Sequence, residues 1–219
     1  MTNKTRIQKI FTILYQAYPH AQVALKYQNP WELLVAVILS AQCTDIRVNI
    51  VTKNLFTKYK TLADYANANI KKFEQNIRSS GFYHNKAKHI IESAKQIREK
   101  FNGEVPKTME ELLTLPGVAR KTANVILWSA FGKNEGIAVD THVMRLSERL
   151  ELVSSKAYRN PVKIEKELMK IIPESEWGPA AYQLIDHGRA ICQAKKPKCS
   201  LCPLNKFCPC FKKTFMIGC

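Results

Sequence analysis

Acidic residues are scarce in this chain. Among its 219 residues, 18 are Asp or Glu and 34 are Lys or Arg, which gives a formal net charge of +16. The sequence pI is about 9.6. Such an excess of positive charge indicates a polyanionic partner, with nucleic acid the first candidate and an anionic membrane the second.

Long apolar runs are also missing, and no secretory signal pattern is visible, so we expect no cleavable leader. The longest apolar run, LLVAVIL at residues 33–39, is much shorter than the roughly 20 residues that a membrane-spanning helix needs. The N-terminal segment carries basic side chains but shows no small-residue cleavage site. We therefore expect a soluble cytoplasmic protein, in which the seven cysteines do not form a disulfide framework.

Strand-like alternation of apolar and polar residues is nearly absent, whereas helix signals recur along the whole chain. Asn29 followed by Pro30 is a typical helix start. Thr108 and Glu111 form a capping box, and Gly103 is placed to end a helix. About ten helices can be counted in this way, so the sequence predicts an all-α fold, while composition alone places no domain boundary.

A short turn, Leu-Pro-Gly-Val at residues 115–118, separates two helical segments. Because Gly117 has no side chain, the main-chain amides there can approach a phosphate closely. Arg120 and Lys121 follow at a helix start, where positive partial charge ordinarily favours acidic residues. The pattern predicts a sequence-independent grip on one DNA strand. The alternative is an ordinary helical hairpin in which Pro and Gly serve only the turn.

Asp140, in the segment AVDTH, precedes another helix and has two interpretations. The default is an N-cap. The second pairs Asp140 with Lys121 in nucleophilic chemistry, which requires a neutral amine. A free lysine with a pKa of about 10.4 is almost entirely protonated at pH 7, and desolvation or neighbouring cations favour its neutral form. The residues alone leave both interpretations open.

Five of the seven cysteines lie between residues 192 and 210. Four of them are separated by six, two and five residues: Cys192, Cys199, Cys202 and Cys208. Thiols spaced in this way predict a metal site, and both zinc and a [4Fe–4S] cluster are possible. The irregular spacing favours iron–sulfur without deciding the question.

The loop between the first two of these cysteines contains three lysines, Lys195, Lys196 and Lys198. If a metal site fixes the loop, these lysines would form a rigid phosphate-binding surface. The alternative is a solvated lysine loop.

Together these motifs resemble the endonuclease III family of helix–hairpin–helix DNA glycosylases. The likeness covers nearly the whole chain, through the segments LLVAVILSAQCTD, GFYHNKAKHI, NGEVPKTMEELLTLPGVARKTANVIL, AVDTHVMRL, HGR and the cysteine array. It implies two helical domains flanking a DNA-binding cleft. One is a six-helix barrel at residues 26–135 that includes the hairpin. The other joins residues 1–25 to residues 136–219 and carries a [4Fe–4S] cluster.

The resemblance also implies roles for individual residues. Lys121 matches the nucleophile that forms a Schiff base, and Asp140 matches an essential carboxylate. Gln42 and Phe82 match positions that fill the gap left by a flipped nucleotide, although Phe82 could equally be a core residue. The family's usual GVGRK is GVARK here, so Ala119 supplies the same amide only if its φ is not positive.

In the same way, Gly117, Ala119, Arg120 and the three loop lysines are implied DNA contacts, and the four array cysteines are implied cluster ligands. The implied function is a monomeric, nucleoid-associated glycosylase and AP lyase of base excision repair. It would remove oxidised pyrimidines from double-stranded DNA. The alternatives are an adenine-specific mismatch glycosylase and a non-catalytic helix–hairpin–helix binder. Lys121 and the chain end at residue 219 favour the lyase over the adenine branch, which lacks this lysine and carries an additional domain.

Overall fold

The computed structural model describes residues 2–216, with side chains to residue 213. Within that range the chain forms twelve α-helices and five short 3-10 helices, and no strand. The predicted all-α fold is therefore confirmed. The α-helices are, in chain order, α1 (Asn3–Ala17), α2 (Pro30–Ser40), α3 (Asp45–Lys58), α4 (Leu62–Ala66), α5 (Ile70–Ile77), α6 (Tyr83–Lys100), α7 (Met109–Leu113), α8 (Arg120–Phe131), α9 (Thr141–Arg149), α10 (Pro161–Ile171), α11 (Trp177–Ala190) and α12 (Pro209–Met216).

None of the helices in the described range has the length and apolar character needed to cross a membrane.

Two compact units make up the chain. One is Val23–Glu135 and contains α2 to α8, and the other combines Met1–Gln22 with Gly136–Cys219. We call them the hairpin unit and the cysteine unit.

The hairpin unit is built around α2. The apolar run at residues 33–39 is buried on every side, because α2 packs against α3, α6 and α8. The Asn29 side chain accepts a hydrogen bond from the Glu32 amide at 2.9 Å, and Pro30 occupies the first helical position. A helix that is apolar all round is stable only inside a core, which explains why this segment is central.

The cysteine unit is built around α11, which packs against α9 and α1. The approach of α9 is close: a Cβ atom at Gly188 would lie 2.8 Å from Nδ1 of His142. After α11 the chain continues without an α-helix until Pro209, and this irregular segment carries the first four clustered cysteines.

Candidate functional site

The turn between α7 and α8 has the backbone that its glycine permits. Gly117 has φ +77°, and a Cβ there would lie 2.7 Å from Nδ1 of His89. Gly117 is therefore required by both conformation and space. Ala119 has φ −96° and ψ 169°, an extended conformation that any residue adopts. Alanine in place of glycine at position 119 is thus compatible with the turn.

The N-terminus of α8 differs from most of the other helix starts. A Thr, Asn or Asp side chain caps eight of the described helices, but Ala119 provides no such cap for α8. The first turn of α8 contains no acidic residue, and Lys121 is exposed there. A helix start that lacks a side-chain cap and carries added positive charge favours an anion.

One face of α6 supports the hairpin. His89 lies beneath Gly117, and Ser93 Oγ donates a hydrogen bond to the Pro116 carbonyl at 3.0 Å. Gln96 Nε2 donates to Thr114 Oγ1 at 2.9 Å. Since residues three and four apart share one face of a helix, α6 holds the turn at successive points along its length.

Gln42 and Phe82 both have left-handed backbones, with φ 53° and 48°. Neither is glycine, and this conformation is uncommon for other residues. Both side chains are exposed, Phe82 to 65%. The alternative interpretation of Phe82 as a core residue is therefore wrong.

Lys86, near the start of α6, was not singled out by the sequence. Its exposed fraction is only 4%. Its Nζ donates to the carbonyls of Leu39 and Ser80, each at 2.8 Å. Burial lowers the pKa of Lys86, opposed by the nearby Cys43 thiol. Lys86 also lies on the buried stripe of α6 with Ile90, and a lysine on an apolar stripe was the signal available in the sequence.

Asp140 is half-buried and caps α9. Its Oδ1 accepts hydrogen bonds from the amides of His142 and Val143, both at 2.8 Å. The predicted N-cap is therefore present. Because both bonds use Oδ1, they leave Oδ2 for another role, and the two interpretations of Asp140 are compatible.

Arg145 connects α9 to the start of the cysteine segment. Its Nη2 lies 3.0 Å from His142 Nδ1 and donates to the Gly188 carbonyl at 3.0 Å. Its Nε donates to the Cys192 carbonyl at 3.0 Å. A chain of hydrogen bonds thus runs from the Asp140 cap through His142 and Arg145 to Cys192.

All four cysteines of the predicted array line one cavity of about 340 Å³, which Cys210 also lines. Among the residues that the structure describes, no three His, Cys, Asp or Glu side chains come close enough together to hold one metal ion. Four thiols around a cavity of this size suit an iron–sulfur cluster better than a single zinc ion. Cys219 lies outside the described residues.

Hydrogen-bond donors reach the cavity wall. Arg149 Nη1 donates to Cys192 Sγ at 3.3 Å. The Phe211 amide donates to Cys208 Sγ at 3.4 Å. His187 Nε2 lies 3.5 Å from Cys202 Sγ, and His187 Nδ1 lies 3.1 Å from the Tyr18 hydroxyl. Burial raises the pKa of the Cys202 thiol to about 11. A thiolate there requires positive compensation, which a bound cluster supplies. The donor set therefore fits the group.

The lysine loop is exposed at all three lysines, Lys195, Lys196 and Lys198. Its backbone is nevertheless held. Arg149 donates to the carbonyls of Gln193 at 2.8 Å and Ala194 at 3.0 Å, and the Lys198 amide donates to the Ile191 carbonyl at 3.0 Å. Arg149 thus contacts both a cavity thiol and the start of the loop.

Two family models match the parts of the sequence that contain the hairpin and the clustered cysteines. Residues 35–174 match the HhH-GPD superfamily of base excision DNA repair proteins. Residues 192–208 match the iron–sulfur binding domain of endonuclease III, a range that includes the four array cysteines and excludes Cys210. These matches define a helix–hairpin–helix repair enzyme and confirm the predicted [4Fe–4S] cofactor.

Relatives that match nearly the whole chain identify the family within this class of repair enzymes. Endonuclease III from Synechocystis sp. is 51% identical over 208 residues, which cover 95% of this chain and 94% of that protein. A trapped endonuclease III–DNA covalent intermediate has a TM-score of 0.91 at 46% identity, covering 97% of this chain and 99% of that one. A non-covalent endonuclease III–DNA complex has a TM-score of 0.92 at 45% identity, covering 99% and 100%. The chain belongs to the endonuclease III family.

Proposed function

We propose that the chain is a bifunctional DNA glycosylase and AP lyase that removes oxidised pyrimidines from double-stranded DNA through a Schiff base on Lys121. Family membership supports the reaction class. The observation that carries the proposal is the placement of an exposed lysine in the first turn of a helix that begins without a side-chain cap.

The hairpin would hold the DNA backbone. Amides at Gly117 and Ala119 would face a phosphate, with Arg120 adding positive charge. To reach C1′, a glycosylase must extrude the damaged nucleotide from the stack. The exposed Gln42 and Phe82 would fill the space that the nucleotide vacates, and an aromatic ring stacked on a base contributes roughly 1–3 kcal/mol.

Bond cleavage would proceed in two stages. The neutral Lys121 amine attacks C1′, the glycosidic bond breaks, and the base leaves with the bonding electron pair. In the resulting amine–sugar adduct the C1′–O4′ bond breaks and O4′ takes up a proton, which opens the ring and leaves an iminium between C1′ and the lysine nitrogen. Loss of a proton from C2′ then expels the 3′ phosphate and nicks the strand, which is β-elimination. Asp140 would take a proton from the amine or stabilise the positive sugar, using the oxygen that does not cap α9.

The cysteine unit would supply a second grip on the backbone. Cys192, Cys199, Cys202 and Cys208 would hold the [4Fe–4S] cluster, whose contribution when bound is to fix the surrounding loop. Arg149 would fix the start of the lysine loop next to the cluster, because it donates hydrogen bonds both to Cys192 and to the loop carbonyls. The proposed reaction uses the residues of one chain, so we expect the monomer to be the active unit at chromosomal DNA.

Borohydride trapping tests the proposal. On a duplex that contains one thymine glycol, borohydride should reduce the iminium and link the protein covalently to DNA. Lys121→Gln should abolish both the adduct and the nick while retaining lesion binding, since the hairpin amides and lysine loop remain. The matched control is Lys100→Gln, at the exposed end of α6, which should trap at the wild-type rate. A normal adduct from Lys121→Gln would mean that another amine is the nucleophile.

A further inference from the structure

Lys86 is a buried cation with an unusual set of partners. A charged amine taken out of water is costly unless its protons are satisfied. Here two of the acceptors are main-chain carbonyls, Leu39 and Ser80, each 2.8 Å from Nζ. They lie 47 and 6 residues from Lys86 in the sequence, so one side chain joins two separate segments of the hairpin unit.

These two segments carry the residues proposed to enter the DNA. Leu39 lies in the last turn of α2, three positions before Gln42. Ser80 ends a 3-10 helix, two positions before Phe82. Carbonyls at helix ends have no partner within the helix and favour a cation. Lys86 therefore satisfies the ends of both elements from which the exposed side chains extend.

Gln42 and Phe82 also share a strained backbone. Their φ values of 53° and 48° place non-glycine residues in the left-handed region, which costs free energy and persists only where the surrounding structure imposes it. The Lys86 contacts are part of that surrounding structure.

We propose that Lys86 is a positioning residue that sets the separation of the Gln42 and Phe82 segments, so that both side chains enter the duplex together during base extrusion. This inference rests on the proposed function, in which those two side chains fill the space left by the nucleotide. A lysine suits this role because its ammonium has several donors and can serve both carbonyls at once.

A comparison of two substrates tests the role. Single-turnover rates are measured on a duplex with thymine glycol, where a stacked base must be extruded, and on a duplex with a preformed abasic site. Lys86→Met keeps the apolar stem and removes the donors. We expect base excision to fall by about tenfold to a hundredfold, since a displacement of about 1 Å can cost about 10²-fold. Abasic-site cleavage should change by less than about threefold, because no stacked base has to be removed.

The matched control is Lys88→Met on the same helix. The Lys88 side chain is 64% exposed and pairs with Glu92 at 3.9 Å, so this variant makes the same charge change without affecting the two carbonyls. Both of its rates should remain near wild type. Lys86→Arg, which keeps a cation with several donors, should restore part of the excision rate. Borohydride trapping on the abasic duplex counts the active molecules in each preparation, so partial unfolding of Lys86→Met does not distort the ratio of rates.

A double-mutant cycle with Phe82→Ala separates positioning from general stability. If Lys86 acts through the Phe82 segment, Lys86→Met should lower excision in the Phe82→Ala background much less than it does alone. Equal losses on the two substrates, or fully additive losses in the cycle, would overturn the proposal. Neither result would affect the assignment of Lys121, which depends on trapping alone.

Discussion

A Cβ atom on Gly117 would lie 2.7 Å from Nδ1 of His89, although the two residues are far apart in the sequence. The contact places α6 directly beneath the turn that precedes α8. Together with the Ser93 and Gln96 hydrogen bonds, it makes the conformation of the turn depend on α6. The conformation of the turn at residues 115–118 therefore depends on tertiary contacts with α6 and not on its own four residues alone.

Gly117→Ala should destabilise the protein and weaken DNA binding. Alanine at φ +77° is strained by about 1–2 kcal/mol, and overpacking against His89 adds about 1–3 kcal/mol. The free energy of unfolding in urea measures the loss of stability, and the affinity for undamaged duplex measures the loss of DNA binding. Ala119→Gly is the control, because φ −96° imposes no strain. It should cost less than about 1 kcal/mol. Equal losses at the two positions would show that the turn does not depend on Gly117.

The cysteine cavity supports a prediction that distinguishes two neighbouring thiols. Cys208 and Cys210 both line it, but only Cys208 falls within residues 192–208, the range that matches the iron–sulfur domain. Cys208→Ser should lose the cluster, seen as loss of brown colour, iron and sulfide after anaerobic purification. Cys210→Ser should retain about four irons per chain. Cluster loss from Cys210→Ser with retention in Cys208→Ser would reassign the fourth ligand.

Some of this structure follows directly from sequence patterns. The α2 helix begins at Pro30, after the predicted Asn29 cap, and the apolar run at residues 33–39 is buried because no other arrangement removes it from water. The clustering of four cysteines within 17 residues predicted one metal site, and all four thiols line one cavity. These signals are local, so the sequence contains them in full.

The left-handed backbones at Gln42 and Phe82 could not be predicted in this way. Non-glycine residues reach positive φ through tertiary context, and that context includes Lys86, which the sequence places far from Gln42. Ser93 and Gln96 likewise look like ordinary polar residues of a helix until the turn between α7 and α8 is placed against them. What sequence reasoning missed is how α6 connects the parts of the hairpin unit.

The lysine loop should contribute to DNA affinity without base preference. Lys195, Lys196 and Lys198 are exposed on a backbone held by Arg149. Each phosphate contact contributes about 0.9 to the slope of log K against log salt. Replacing all three by Ala should reduce the slope by up to about 2.7, measured on undamaged duplex between low and moderate salt. Replacing three exposed lysines of α6 instead, Lys88, Lys95 and Lys100, provides a control with the same charge change. Equal reductions in the two variants would indicate a general charge effect.

The geometry of Asp140 allows its two roles to be measured separately. Both cap hydrogen bonds use Oδ1, and asparagine offers an oxygen in the same place. Asn and Asp are about equally good N-caps, so Asp140→Asn should change the free energy of unfolding by less than about 0.5 kcal/mol. Asp140→Ala removes the cap and should cost about 1 kcal/mol. Stability is measured by urea denaturation of the two variants in parallel.

The two Asp140 variants should differ in stability but lose the rate of base excision alike. Asparagine carries no negative charge and cannot take a proton from the Lys121 amine, so both variants should lose base excision by a factor of about 10² or more. Single-turnover excision on a thymine glycol duplex, at saturating protein, gives the rate without a contribution from binding. If Asp140→Asn kept the wild-type rate while Asp140→Ala lost it, the carboxylate would act only as a helix cap. A large loss in Asp140→Asn at unchanged stability would assign Asp140 to the chemistry, because the helix cap is then retained while the negative charge and the second acceptor oxygen are removed.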